Sequence, residues 1–190
     1  LVHHFTFFIN SLCHYVGKRP FDPNSTARDS WWVAYFTFGE GFHNYHHKFQ
    51  WDYRNGIAWY AFDPGKWTIK FLSWFGLTKD IRKVSEYNIL LAKLESMKTS
   101  IQKQYSNMPE KLKENYQDKI NSFQEGANKI VQSWKELEKE ISQLKKSNIK
   151  DKFQLAILNQ KRKLYRKEFA AVMNSITILM LSLKNGNSLV

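Results

Sequence analysis

The chain has 190 residues, 43% apolar and 16% aromatic, which is room for one or two packed domains and too apolar for wholesale disorder. Its 29 basic and 17 acidic residues give a formal charge of +12, shared by both parts: 10 basic and 6 acidic residues precede Ser85, and 19 and 11 follow. No helix-turn-helix, zinc-finger or RNP-type signature accompanies that charge, so nucleic acid is set aside, and an anionic membrane surface suits the seven tryptophans and fourteen phenylalanines better.

The chain opens in the apolar run Leu1-Val2-His3-His4-Phe5-Thr6-Phe7-Phe8-Ile9. A bilayer crossing needs about 20 apolar residues. With no methionine ahead of it, the run is expected to be the cytoplasmic end of a membrane helix whose earlier part lies outside this chain; a short buried helix is the competing reading. Residues 5–14 are predicted helical, which puts Asn10 and His14 on one side, one turn apart. That is the arrangement wanted if His14 ligates a metal and Asn10 reaches it directly or through a water. Phe7 and Phe8, one turn earlier, would line a channel for an apolar chain, or simply face lipid or core. Cys13 is the single cysteine, which excludes an internal disulfide framework. Gly17, Pro20, Pro23 and the run Asp22-Pro23-Asn24-Ser25 predict a loop over 17–28, with Ser25 or Thr26 capping a helix that contains Trp31-Trp32-Val33-Ala34-Tyr35-Phe36.

Three of the six histidines follow within five residues, in Gly39-Glu40-Gly41-Phe42-His43-Asn44-Tyr45-His46-His47. On a helix, His43, His46 and His47 stand at i, i+3 and i+4 and share one face. Three such imidazoles can serve one iron or zinc, or contribute to two metals, if other segments complete the coordination. A surface histidine patch would show the same spacing. Gly39 and Gly41 let the backbone bend so that these histidines turn toward His14. Glu40 is either a solvated turn residue or a hydrogen-bond partner for a ligand imidazole. The segment 51–56 is a polar turn in which Asp52 and Arg54 form a local pair bracing the histidine helix. Asp63-Pro64-Gly65 then leads into an amphipathic helix whose lysines and tryptophans suit a membrane surface, and Gly76 ends it.

From Lys83 onward Lys, Glu and Gln dominate and apolar residues recur every seven. Leu112, Tyr116, Ile120, Phe123, Ala127, Ile130, Trp134, Leu137, Ile141 and Leu144 recur at steps of four and three, alternating from Tyr116 onward, an a/d seam. Pro109 suits the start of that helix and Ser147-Asn148 its end. Before it, Tyr87, Leu90, Leu94, Met97 and Ile101 form a similar stripe. After it comes a third, Leu155, Leu158, Arg162, Tyr165, Phe169, Val172, Ile176, Leu179 and Leu183. Three long helices with short links predict an antiparallel bundle or coiled coil. The fold class is therefore all-α, the end of a membrane helix plus membrane-surface helices around the histidines, then a long-helix bundle. Its domains are residues 1–84 and 85–190.

The stretch Gly39 to His47, continued by Phe49 and by Asp52-Tyr53-Arg54-Asn55-Gly56, resembles the third histidine box of membrane-bound fatty acyl desaturases. The likeness is to the acyl-CoA delta-9 group, whose box reads GEGxHNxHHxFxxDYRxG. Asn10-Ser11-Leu12-Cys13-His14, with Gly17 and Arg19-Pro20-Phe21-Asp22, matches that family's NSxxH element. The resemblance covers about residues 5–85. It implies that His14, His43, His46 and His47 are iron ligands, with Asn10 reaching iron through water. It further implies O2-dependent insertion of a cis double bond into a fatty acyl thioester or lipid by a di-iron centre. A small electron-carrier protein would supply two electrons, and the histidine box and C-terminal helices would lie on the cytoplasmic side of a membrane. Removing hydrogen from an unactivated methylene needs a metal-based oxidant, since no side chain supplies one.

The family also carries HxxxxH and HxxHH boxes ahead of its NSxxH element, and neither occurs in this chain. His3-His4 are adjacent and do not stand in for them. Four matched histidines leave the di-iron site incomplete, so the chain is expected to be the C-terminal part of a desaturase, inactive by itself. A related membrane di-iron hydroxylase shares the histidine logic. A non-enzymatic helical interaction module is the alternative of another class.

Overall fold

The computed structural model describes residues 2–146 and 152–185. The side chains of His3, His4, Phe8 and Leu112, and the expected helix end at Ser147-Asn148, lie outside the described residues. The described chain is helical, in seven helices: α1 (Val2–Tyr15), α2 (Trp31–Phe36), α3 (His43–Lys48), α4 (Pro64–Trp74), α5 (Glu86–Ser106), α6 (Glu110–Lys146) and α7 (Lys152–Asn185). None of the described helices is long and apolar enough to cross a membrane. The chain divides into two compact units, Leu1–Ser96 and Met97–Val190.

In the first unit the helices are short and the joins between them carry the order. Phe21, Tyr45, Phe49, Val84, Ile89 and Ala92 form the core, with Ile57 packed on it. Phe21 and Tyr45 meet edge to face at 5.1 Å between ring centroids, a favoured aromatic geometry. The segment 17–28 is a loop, as its Gly and Pro content predicts. The helix after it starts later than expected. Ser25 and Thr26 do not cap α2: Ser25 Oγ accepts from Ala27 N, and Thr26 Oγ1 lies 2.9 Å from His14 Nδ1. Ser30 stands at the N-cap of α2 in extended conformation without a side-chain bond. Gly41 passes so close to α2 that a Cβ would meet the backbone of Val33 and Ala34. That contact is what requires glycine there.

Helix α4 begins as its sequence dictates, with Asp63 accepting from Lys66 N and Pro64 in the first turn. One expectation fails within it. Lys66 does not face a membrane surface: it is buried, and its Nζ donates to Gly56 O at 2.7 Å, Ala58 O at 2.8 Å and Ala61 O at 3.3 Å. Trp67, Phe71, Trp74 and Phe75 of the same segment remain exposed.

In the second unit α6 and α7 pack together. Glu138 accepts from Arg162 at 2.7 Å, Trp134 meets Phe169, and Leu137 and Ile141 cluster with Leu158. Partners early on one helix lie late on the other, so the two run antiparallel. Every described member of both a/d seams is buried or half-buried.

Candidate metal centre

Helix α3 is too short to be stable alone, and distant segments hold it. Phe42 at its N-cap offers no side-chain acceptor. Asp29 does so instead, its Oδ1 accepting from Asn44 N at 2.7 Å and Tyr45 N at 3.1 Å. Backbone bridges to Lys18 and to Phe42 fix Asp29 in place. Burial pushes its carboxyl up to about 6, against the N–H groups of Tyr45 and Asn44 and the charge of Lys93. Asn44, fully buried, ties the loop to the same helix. Its Oδ1 accepts from Phe21 N and Asp22 N, and its Nδ2 donates to Asp22 O and Ala27 O, at 2.9–3.1 Å. On the α1 side, Arg28 N donates to Cys13 O at 2.8 Å and Arg28 Nε to His14 O at 3.1 Å.

This bracing brings His14 of α1 against α3. His14, His43 and His47 each offer a ring nitrogen, and these nitrogens all lie within 4.8 Å of one another. The Nε2 atoms of His43 and His47 are 3.0 Å apart. His14 packs edge-on to His43 at 5.1 Å and to His47 at 6.0 Å between centroids. A proton on His14 Nδ1, donated to Thr26 Oγ1, leaves Nε2 with a free lone pair; orienting a ligand imidazole in this way is a common device in metal sites.

The donor set fits a metal ion. Burial pushes the imidazole of His43 down to about 4, helped by His47, His14 and His46; His47 is lowered as well, by burial first and then by His46 and His14. Both rings are therefore neutral near pH 7, and a neutral imidazole is the ligating form. Among the described residues, the buried His43 Nδ1 has no hydrogen-bond partner. With metal–nitrogen bonds of about 2.0–2.1 Å, two Nε2 atoms at this separation subtend roughly 90–100°. That angle suits neighbouring ligands of a five- or six-coordinate ion.

The remaining expected residues are placed differently. His46 is half-buried but lies outside the three-nitrogen group, its ring 6.4 Å from that of His43 and 6.1 Å from that of His47. Asn10 is exposed one turn before His14 on α1, and Phe7 is 70% exposed; the side chain of Phe8 lies outside the described residues. Glu40 lies in the turn before α3, half-buried, and its Oε1 accepts from Asn55 Nδ2 at 3.0 Å rather than from an imidazole. Cys13 is buried, its thiol pushed up to about 11 by burial and by Glu40 and Asp29, which keeps it protonated.

Asp52 and Arg54 do brace the histidine helix. Arg54 donates from Nε to Asp52 Oδ1 at 2.9 Å and from Nη2 to Oδ2 at 2.7 Å, while Tyr45 Oη and Val84 N donate to the same Oδ2. Three positions with structural work near the site escape sequence reasoning: Asp29, Thr26 and Asn44. Only Asn44 had a local signal, as a polar residue on a helix otherwise bearing ligands and core aromatics. On the other side of α3, Tyr45 and Phe42 line a cleft of about 800 Å³ with Trp31, Trp32, Tyr60 and Lys93.

No protein-family model matches the chain. Known proteins do. The chain is 49% identical over 98 residues to acyl-CoA desaturase 1 of Saccharomyces cerevisiae, which is 52% of this chain and 19% of that protein. It is 48% identical over 88 residues to a probable acyl-CoA desaturase of Schizosaccharomyces pombe, 46% of this chain and 18% of the other. To the sn-1 stearoyl-lipid 9-desaturase of Synechocystis it is 49% identical over 81 residues, 43% of this chain and 26% of that protein. The chain thus matches about a fifth to a quarter of the length of these relatives, and about half of itself is matched.

Proposed function

We propose, starting from a chain of which about half is similar to membrane-bound fatty acyl desaturases, that it is the C-terminal part of such an enzyme and supplies histidine ligands to a di-iron centre. The observation that carries this reading is the convergence of His14, from one segment, on His43 and His47 from another. The similar proteins are acyl desaturases, which are oxidoreductases. The complete protein would introduce a cis double bond, at delta-9 by likeness, into a fatty acyl thioester or lipid. It would use O2 and electrons from a small carrier protein, at a membrane with the histidines on the cytoplasmic side.

Bound iron would supply the O2-derived oxidizing power that an unactivated methylene demands. The residues of this chain hold and shield it. His43 and His47 present neutral nitrogens beside the ring nitrogen of His14, with His46 joining from the same turn of α3 and Asn10 from α1 through a water. Thr26 sets the orientation of His14, and Asp29 and Asn44 fix the helix that carries the others. Buried Tyr45 and Phe49 anchor the opposite face of α3 and so fix the helix that would present the imidazoles to the metal. Four histidines do not complete two iron sites, so the isolated chain is expected to be inactive.

The test uses the complete protein: metal analysis of wild type and of His43→Ala, with mass spectrometry of the acyl product. Loss of iron in the variant and a product lighter by two hydrogens support the reading. A product heavier by one oxygen would make the protein a related hydroxylase. Unchanged metal content and no acyl product would favour the non-enzymatic helical module, a reading supported by the second unit, in which Leu137, Ile141 and Leu158 form a core cluster.

A further inference from the structure

Helix α7 has two apolar faces, and among the described residues only one packs against another helix. With Leu155 at heptad position a, its inner seam occupies a and d and packs on α6. The c positions form a second line, Ile157, Leu164, Ala171 and Ile178, each seven residues from the last, joined at an f position by Leu181. At 100° per residue, c and f lie 60° apart and roughly 160° from the middle of the a/d seam. This line is on the opposite side of the helix, and Leu164, Ile178 and Leu181 are 53%, 58% and 55% exposed. Because α7 already follows a seven-residue repeat against α6, the c positions stay in register along its length.

We propose that this back face docks an amphipathic helix of a partner protein, and that the partner's flanking residues are acidic. Two observations choose that occupant. First, the apolar line is narrow: its g side is polar, with Lys161, Glu168 and Ser175, and on its b side Lys163 and Thr177 alternate with the small Ala156 and Ala170. An interfacial helix buries a face at least about 100° wide in a bilayer, whereas a stripe this narrow is the seam of a helix pair. Second, the surface beside the line is basic. Lys161, Lys163 and Lys167 are exposed within seven residues, and Glu168 is the one acidic residue of α7. A second copy of α7 would set Lys167 and its neighbours against like charge. Glutamates at the e and g positions of a partner helix would meet them with opposite charge.

The test measures binding of the full chain to two labelled synthetic peptides of about four heptads, both with Ile and Leu at a and d. One carries Glu at e and g, the other Lys. The acidic peptide is expected to bind and the basic one not to. Combined Ile157→Ser, Leu164→Ser and Ile178→Ser should weaken binding on the order of tenfold, with helix content by circular dichroism unchanged because all three sites are exposed. Combined Lys161→Glu, Lys163→Glu and Lys167→Glu should reverse the preference toward the basic peptide. Equal binding of both peptides, or of neither, overturns the proposal. So does self-association in sedimentation, or attachment to phosphatidylserine-containing vesicles, that the serine substitutions abolish while the acidic peptide fails to bind.

Discussion

Asn44 makes four hydrogen bonds from a side chain with no solvent access, and it joins the loop 21–27 to the helix bearing His43. Asn44→Ala leaves two backbone N–H groups and two carbonyls to find new partners, each costing about 1–3 kcal/mol where burial persists. Chemical denaturation should show a loss of roughly 3 kcal/mol or more, and amide exchange should accelerate at Phe21 and Asp22. The Asp52–Arg54 pair is the second such device. Removing one partner of a buried pair costs about 3–5 kcal/mol because the other charge stays behind, so Arg54→Ala should destabilise by that order. The pair also sets a pH dependence. Arg54 and Tyr45, with the N–H of Val84, hold the Asp52 carboxyl below its ordinary range despite burial. Its stabilising contribution is therefore present above the unfolded value of about 3.9 and is lost as pH falls through the lower folded value. Asp29 acts with the opposite sign. Its folded value is raised to about 6, so its contribution is full below about 4 and is lost as pH rises through 6. Asp29→Asn should flatten the fall in stability across that window, measured by denaturant titration at several pH values.

At the scale of elements, close approach matters as much as pattern. Gly41→Ala would drive a methyl group into the backbone of Val33 and Ala34. Overpacking of this kind costs about 1–3 kcal/mol, and here it would separate α2 from the turn leading into α3. Reduced metal retention by the complete protein, read beside the melting temperature, checks this. The α5 stripe shows why period alone misleads. Tyr87, Leu90, Leu94, Met97 and Ile101 are the expected face, yet Ile89, Ala92 and Ser96 are buried while Tyr87, Leu90 and Met97 are only half-buried. The first part of α5 packs Ile89 and Ala92 on the Phe21–Tyr45–Phe49 core, and Ser96 Oγ donates to Arg19 O. Farther along, Ile101 borders Ile120, Phe123 and Ile176 in the second unit. One helix serves two cores and cannot keep one stripe. Helices α6 and α7 serve one, and their seams are as the heptads foretell. Trp134, fully buried against Phe169, is the largest side chain there. Trp134→Ala should cost about 3–5 kcal/mol, visible as an earlier unfolding transition.

For the whole molecule, each of the two units packs a core cluster of its own. Among the described residues Asn44 and Trp134 share no partner, so the double variant Asn44→Ala with Trp134→Ala should lose the sum of the single losses to within about 0.5 kcal/mol. A larger coupling would mean that the units fold as one. The sequence by itself determined what depends on neighbours a few residues away. Helical period put His43 and His47 on one face, heptads marked the seams of α6 and α7, Gly and Pro placed the loop, and the histidine motif pointed to the desaturase family. Tertiary structure alone decided what depends on atoms far apart in the chain. It brought His14 to α3 through Arg28, Asp29 and Asn44, left His46 outside the three-nitrogen group, and turned Lys66 from a surface cation into a clasp on three carbonyls. The reason is physical: periodicity encodes which way a side chain points from its own helix, whereas the partner that satisfies a buried donor or acceptor is chosen only when the chain has closed on itself.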